Sequence, residues 1–179
     1  MSMTKPPTEA DPGLPLAELY ARPGFLLRRA HQIAVGIFVQ ECSGFGLTPP
    51  QHSALIAVGH CPGLDQAALA RALGFDRATI GQVVEGLESR GLLRRRDSPT
   101  DKRRKTLALS AKGRALMSQA SAAIARTSER LLAPLAAKER EHFVRLLRQL
   151  TGELNGASRT PVTHPALPVD KKRRLRRSA

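Results

Sequence analysis

Four side chains in one short stretch, Arg77, Ala78, Thr79 and Gln82, have the types that read the edges of base pairs. Arg can bond guanine through two donors, the Gln amide can pair with adenine, and an Ala or Thr methyl can touch the thymine methyl. Behind them, Arg94, Arg95, Arg96, Lys102, Arg103, Arg104 and Lys105 crowd into twelve residues against Asp97 and Asp101 alone. Cations at that density repel one another unless water or an anion intervenes, and a phosphate backbone is a natural match. The chain offers no clustered acid–base pair, metal-ligand spacing or phosphate-cradling glycine loop, so no catalytic residue, metal or cofactor is expected.

Those residues need elements to hold them. Asp65 can cap a first helix running to Leu73, and Gly74 stops it. Asp76 caps a second helix in which Ile80, Val83, Val84 and Leu87 recur at i, i+3, i+4 and i+7, the spacing that buries one face. The same projection puts Ala78, Gln82, Glu85 and Ser89 opposite the apolar stripe, Thr79 and Gly81 on its flank and Arg77 at its start. Leu92-Leu93 and Leu107-Ala108-Leu109 then read as two strands around the cationic loop. The order predicts a winged helix-turn-helix, whose second helix enters the major groove by its N-terminal half. A plain pair of packed surface helices is the alternative for Asp65 to Arg90 taken alone.

From Leu47 to Leu116 the sequence also resembles the MarR family of bacterial transcriptional regulators. LTPPQ opens a helix, PG and a Leu-Ala pair follow, DRATI starts the second helix, and LESRGLL leads into SPTDKRRK and LALSAKG. The resemblance places the family's Asp-x-Arg element on Asp101 and Arg103, and implies that Arg103 reaches the minor groove while Asp101 orients it. Arg104 and Lys105 make this wing more basic than the element requires. PGFLLRRAHQIAVGIFVQE, DRATIGQVVEGLESRG and the ending around RLLAPL and ELNGASR are similar to MarR-type repressors of aromatic-acid breakdown, particularly of nicotinate. That likeness implies a small aromatic carboxylate effector such as 6-hydroxynicotinate, which releases the protein from DNA.

The 179 residues carry a formal charge of +14, of which the first 20 contribute −2 and the last 14 contribute +5, so most of the excess lies between them. A polyanionic partner is favoured, and with one Tyr, no Trp and five Phe, stacking on single strands is poorly supplied. Duplex DNA fits better. Cys42 and Cys61 lack a C-x-x-C spacing and give neither a disulfide framework nor a zinc site. No 18-residue apolar run occurs and the first residues are acidic and Pro-rich, so a cytoplasmic protein without membrane contact, on the nucleoid when DNA-bound, is expected.

Taken in order, residues 1–15 read as a disordered arm and 16–47 as an N-terminal dimerisation helix. The winged DNA-binding domain follows at 48–110, C-terminal dimerisation helices at 111–156, and a basic disordered tail at 157–179 ending in KKRRLRR. The fold class is thus mainly α with a small β-wing, the helical dimerisation region being built from both chain ends. The first long helix is too apolar to be covered on one side, and Phe143, Leu147, Leu150 and Leu154 repeat at heptad-like spacing near the end. Such a stripe is ordinarily intrachain core. Here the leftover apolar surface suggests a two-fold homodimer.

His31 falls on the apolar sector of the first long helix, where a core histidine with one satisfied hydrogen bond is the ordinary reading and a ligand contact the alternative. Arg28, on the same helix, could offer an effector its charge, and Gln51 and His52 would line a crevice between that helix and the next; surface solvation is the simpler account of all three. Oxidant sensing at Cys42 is disfavoured by the helix C-terminus and by Glu41. The residues together support a homodimeric, ligand-responsive repressor of pseudo-palindromic duplex DNA. The alternative is an effector-independent architectural DNA-binding protein, whose affinity would be almost independent of sequence.

Overall fold

The computed structural model describes residues 16–97 and 104–165. Two helices open it, α1 (Leu16–Ala21) and α2 (Pro23–Glu41), with Pro23 at the first helical position, where no N–H donor is needed. Pro23 cannot continue α1, so the N-terminal helical region consists of a short turn of helix and a long helix that starts afresh at Pro23. A 3-10 turn at Ser43–Phe45 leads to α3 (Pro49–His60), which starts in a capping box: Thr48 Oγ1 accepts the Gln51 N–H at 3.4 Å, and Gln51 Oε1 accepts the Thr48 N–H at 3.2 Å.

The predicted pair of short helices is present as α4 (Gln66–Leu73) and α5 (Arg77–Ser89). Asp65 Oδ1 accepts the Ala68 N–H at 2.7 Å, and Asp76 Oδ1 accepts the Thr79 N–H at 2.8 Å. Gly74 ends α4 in the left-handed region at φ 67°. Strands β1 (Leu93–Asp97) and β2 (Lys105–Leu109) pair antiparallel, Leu93 opposite Leu109 and Arg95 opposite Leu107. β2 is also pinned at its middle, where the Leu107 N–H donates to the Leu64 carbonyl at 2.7 Å.

Ser110 caps α6 (Ala111–Leu132), and Pro134 separates it from α7 (Ala137–Glu153). Gly113 allows α6 to lie on the backbone before β1, because a Cβ there would stand 2.2 Å from the Leu92 carbonyl oxygen.

The largest fully buried side chains, Leu55, Leu69, Ile80, Val84, Leu87 and Leu92 with Cys42, show where the core sits. All but Cys42 belong to the winged unit. From α2 only Phe38 joins that core, and α7 buries no residue. Leu26 and Ile33 of α2 and Leu146 and Leu150 of α7 are left open to solvent. Glu41 fastens α2 to α6, its oxygens accepting from Arg126 Nε at 2.8 Å and Arg130 Nη1 at 2.6 Å. No described helix is long and apolar enough to cross a membrane.

One expectation changes. The tail was expected from residue 157, yet Asn155–Ala157 forms a 3-10 turn and Thr160 and Thr163 bond back onto α4, because carbonyls at the end of that helix lack partners of their own. Residues 1–15 and the KKRRLRR run lie outside the described residues.

Candidate nucleic-acid interface

Helix α5 buries Ile80, Val83, Val84 and Leu87 and turns Arg77, Ala78 and Gln82 to solvent. Neither Arg77 nor Gln82 spends its side chain on a described neighbour, so both keep their donors for a partner. Thr79 differs. Its hydroxyl donates to Asp76 Oδ2 at 2.9 Å while its backbone N–H meets Oδ1, so it completes the cap and leaves only its methyl for a base edge. These bonds hold the Asp76 carboxyl below its ordinary range, the Thr79 N–H being the leading cause.

Strand alternation divides the wing cations. Arg94 and Arg96 lie opposite Ala108 and Thr106 on the exposed face, with no described partner for either guanidinium. Arg95 shares the opposite face with buried Leu107 and is engaged at the surface by its own chain, its Nε donating to both Glu88 oxygens at 3.1 Å and its Nη2 to Gln66 Oε1 at 3.2 Å. Arg104 pairs with Asp65, and Lys105 with Asp97. The Asp65 carboxyl is lowered first by the Ala68 N–H and then by Arg104. Asp65 thus caps α4 and anchors the wing through one side chain. Asp101, Lys102 and Arg103 lie outside the described residues.

Sequence reasoning missed the anchors. Gln66 and Glu88 read as ordinary helix-surface residues, and nothing in their spacing connects them to a strand that follows. Arg90 is similar: its Nη1 and Nη2 donate to the Gly46 and Phe45 carbonyls at 2.6 and 2.9 Å, tying the end of α5 to the turn before α3. Contacts 44 and 45 residues apart leave no local pattern.

A cleft of about 220 Å³ opens between α2 and α6. His31, Ala34, Val35 and Phe38 form one wall, Thr127, Ser128 and Leu131 the other, and Pro49 closes an end. Of the four candidate effector residues only His31 lines it, and His31 is exposed, which corrects the core-histidine reading. The helices are drawn together by Glu41 at the far end of α2, so space opens beside His31. Arg28 instead lies over the Phe25 ring at 4.8 Å, and Gln51 is held in the α3 cap. His52 stacks obliquely on Phe38 at 5.6 Å, its Nε2 buried and without a described partner, and burial lowers its pKa. Cys42 is buried; first that burial and then Glu41 raise its thiol pKa, which disfavours a reactive thiolate.

The MarR family model matches residues 45–104, a span that starts before α3 and ends in the wing. The transcriptional regulator HosA of Escherichia coli O111:H- is 35% identical over 104 residues, 58% of this chain and 77% of that protein. Among solved structures, the transcriptional repressor CouR bound to a 23-mer DNA duplex superposes with a TM-score of 0.72 at 32% identity, covering 77% of this chain and 98% of CouR. BpsR of Bordetella bronchiseptica, whose DNA binding is regulated by 6-hydroxynicotinic acid, gives a TM-score of 0.69 at 31% identity over 74% of this chain and 94% of its own. With a winged helix-turn-helix fold and relatives matched across most of their length, the chain belongs to the MarR family of transcriptional regulators.

Proposed function

We propose that this MarR-type regulator works as a homodimeric repressor that binds a pseudo-palindromic duplex and lets go when a small aromatic carboxylate binds. The observation that carries the reading is the division of side chains: Arg77, Ala78 and Gln82 on α5 and Arg94 and Arg96 on β1 face outward, while the neighbouring Arg95 and Arg104 are spent on anchoring the wing. Two such units, related by a two-fold axis, set their α5 helices into successive major grooves about 34 to 36 Å apart. Arg77 and Gln82 then read bases, Ala78 and the Thr79 methyl make apolar contacts, and Arg94 and Arg96 hold phosphates beside the minor groove. Lys102 and Arg103, with Asp101 orienting, complete the wing's contact. A cytoplasmic site of action follows from that partner.

For the effector, the cleft beside His31 has the chemistry of an aromatic acid site: Val35, Phe38 and Leu131 for a ring, and His31, Thr127 and Ser128 for polar substituents. A ligand wedged there pushes α2 from α6 and so changes the distance between the two reading units. A coupling of about 1 to 3 kcal/mol changes occupancy by about 5- to 150-fold. BpsR makes 6-hydroxynicotinate the first compound to test. Titration calorimetry with it and a panel of benzene and pyridine carboxylates is expected to give saturable binding that Ser128→Leu and His31→Leu abolish. Absence of heat with every compound contradicts the effector assignment.

A further inference from the structure

Beyond α7 the chain turns at Asn155–Ala157 and comes back to the end of α4. Asn155 closes that return like a buckle: its Nδ2 donates to the Val162 carbonyl at 2.9 Å and its Oδ1 accepts the Val162 N–H at 2.8 Å. Thr160 Oγ1 then donates to the Gly74 carbonyl at 2.6 Å, and the Thr163 N–H donates to the Arg71 carbonyl at 2.9 Å. Both acceptors belong to the end of α4, where a helix leaves its last carbonyls without partners of its own.

The fit extends to Gly74. A Cβ at that position would stand 3.0 Å from Val162 Cγ2 and 3.2 Å from the Thr160 carbonyl oxygen, so this glycine serves the left-handed turn and the approach of the returning chain. Two residues later Asp76 caps α5. The segment therefore grips the turn that fixes how α5 leaves α4, and its other end continues into α7, whose apolar face is open.

We infer that Asn155, Thr160 and Val162 are positioning residues for the recognition helix, forming a strap that ties the end of α7 to the turn between α4 and α5. The inference rests on α5 being the reading element, as argued above. Through the strap, the separation of two copies set by their end helices is coupled to the attitude of α5, which a base contact feels and a phosphate contact tolerates. The strap touches no DNA itself.

The test uses the full chain with Thr160→Val, Asn155→Ala and, as the rescue, Thr160→Ser. Amide exchange of the α4–α5 turn is measured together with affinity for a duplex selected by the wild-type protein and for a random duplex of equal length across a salt series. Losing the Thr160 hydrogen bond is expected to speed exchange at Phe75 to Ile80 by about 5-fold and to weaken the selected duplex by a similar factor, and Asn155→Ala, which removes two bonds, to do so at least as much. Random-duplex affinity and salt slope stay at wild-type values, and Thr160→Ser restores both readouts. Wild-type exchange in both variants, or equal loss on the two duplexes, overturns the inference. If the wild-type chain selects no duplex, the proposed function fails, and the exchange measurement by itself decides whether the strap holds the turn.

Discussion

In the proposed DNA complex, Gln82 and Arg94 make two kinds of contact, one that depends on the base pair and one that does not. Gln82→Ala is expected to cost about 1 to 3 kcal/mol on a selected operator and little on random DNA, measured by competition at fixed salt. Arg94→Ala is expected to weaken both duplexes together and to reduce the salt slope by about 0.9. His52 gives a pH signature of its own. Its folded pKa is depressed by burial below the ordinary 6.5, so the unfolded chain takes up a proton first as pH falls. That contribution to stability is complete above pH 6.5 and is lost as pH drops toward the folded pKa. Melting is therefore expected at a lower temperature at pH 5.5 than at 7.5, and His52→Leu should flatten the difference. An unchanged difference in that variant would place the acid sensitivity elsewhere. The outward row on α5 was legible from helical periodicity alone, whereas the loss of Arg95 to Glu88 and Gln66 was not, because cation density says nothing about which face of a strand each cation takes.

At the scale of elements, caps and glycines were the readable part. Thr48, Asp65, Asp76 and Ser110 each accept a backbone N–H where a helix starts, and Gly74 stops α4, all of it local chemistry carried by residues within a turn of one another. Gly113 looked like part of a family signature, and its physical reason appears only when α6 is laid on Leu92. Gly113→Ala is expected to force α6 off the wing and to cost about 2 to 3 kcal/mol. Thermal or urea melting would show it, and a wild-type midpoint would mean that the Leu92 carbonyl can move aside. Sequence pattern dissolved into a tail from residue 157, where Thr160 and Thr163 bind the end of α4. Extended segments without apolar periodicity carry no signal for the partner they will meet.

For the whole molecule, the distribution of core is the decisive feature. The winged unit is closed around Leu55, Leu69, Ile80 and Leu87, while α7 presents Phe143 at 37% exposure and Leu150 at 42%. Apolar helix faces of that size are a cost in water unless a second surface covers them. If the proposed dimer forms through α7, Leu146→Asp with Leu150→Asp is expected to give a monomer by light scattering where the wild-type chain is a dimer, and to weaken operator binding by at least about 10-fold, because one reading unit then binds without its pair. An unaltered mass would remove α7 from the interface. The measurement that reaches the central claim most directly is a selection of duplexes by the wild-type protein, followed by competition between the enriched sequence and random DNA. Two half-sites about one helical turn apart, and a preference that Gln82→Ala abolishes, are expected. Enrichment of no sequence, with equal affinity for every duplex, would contradict it.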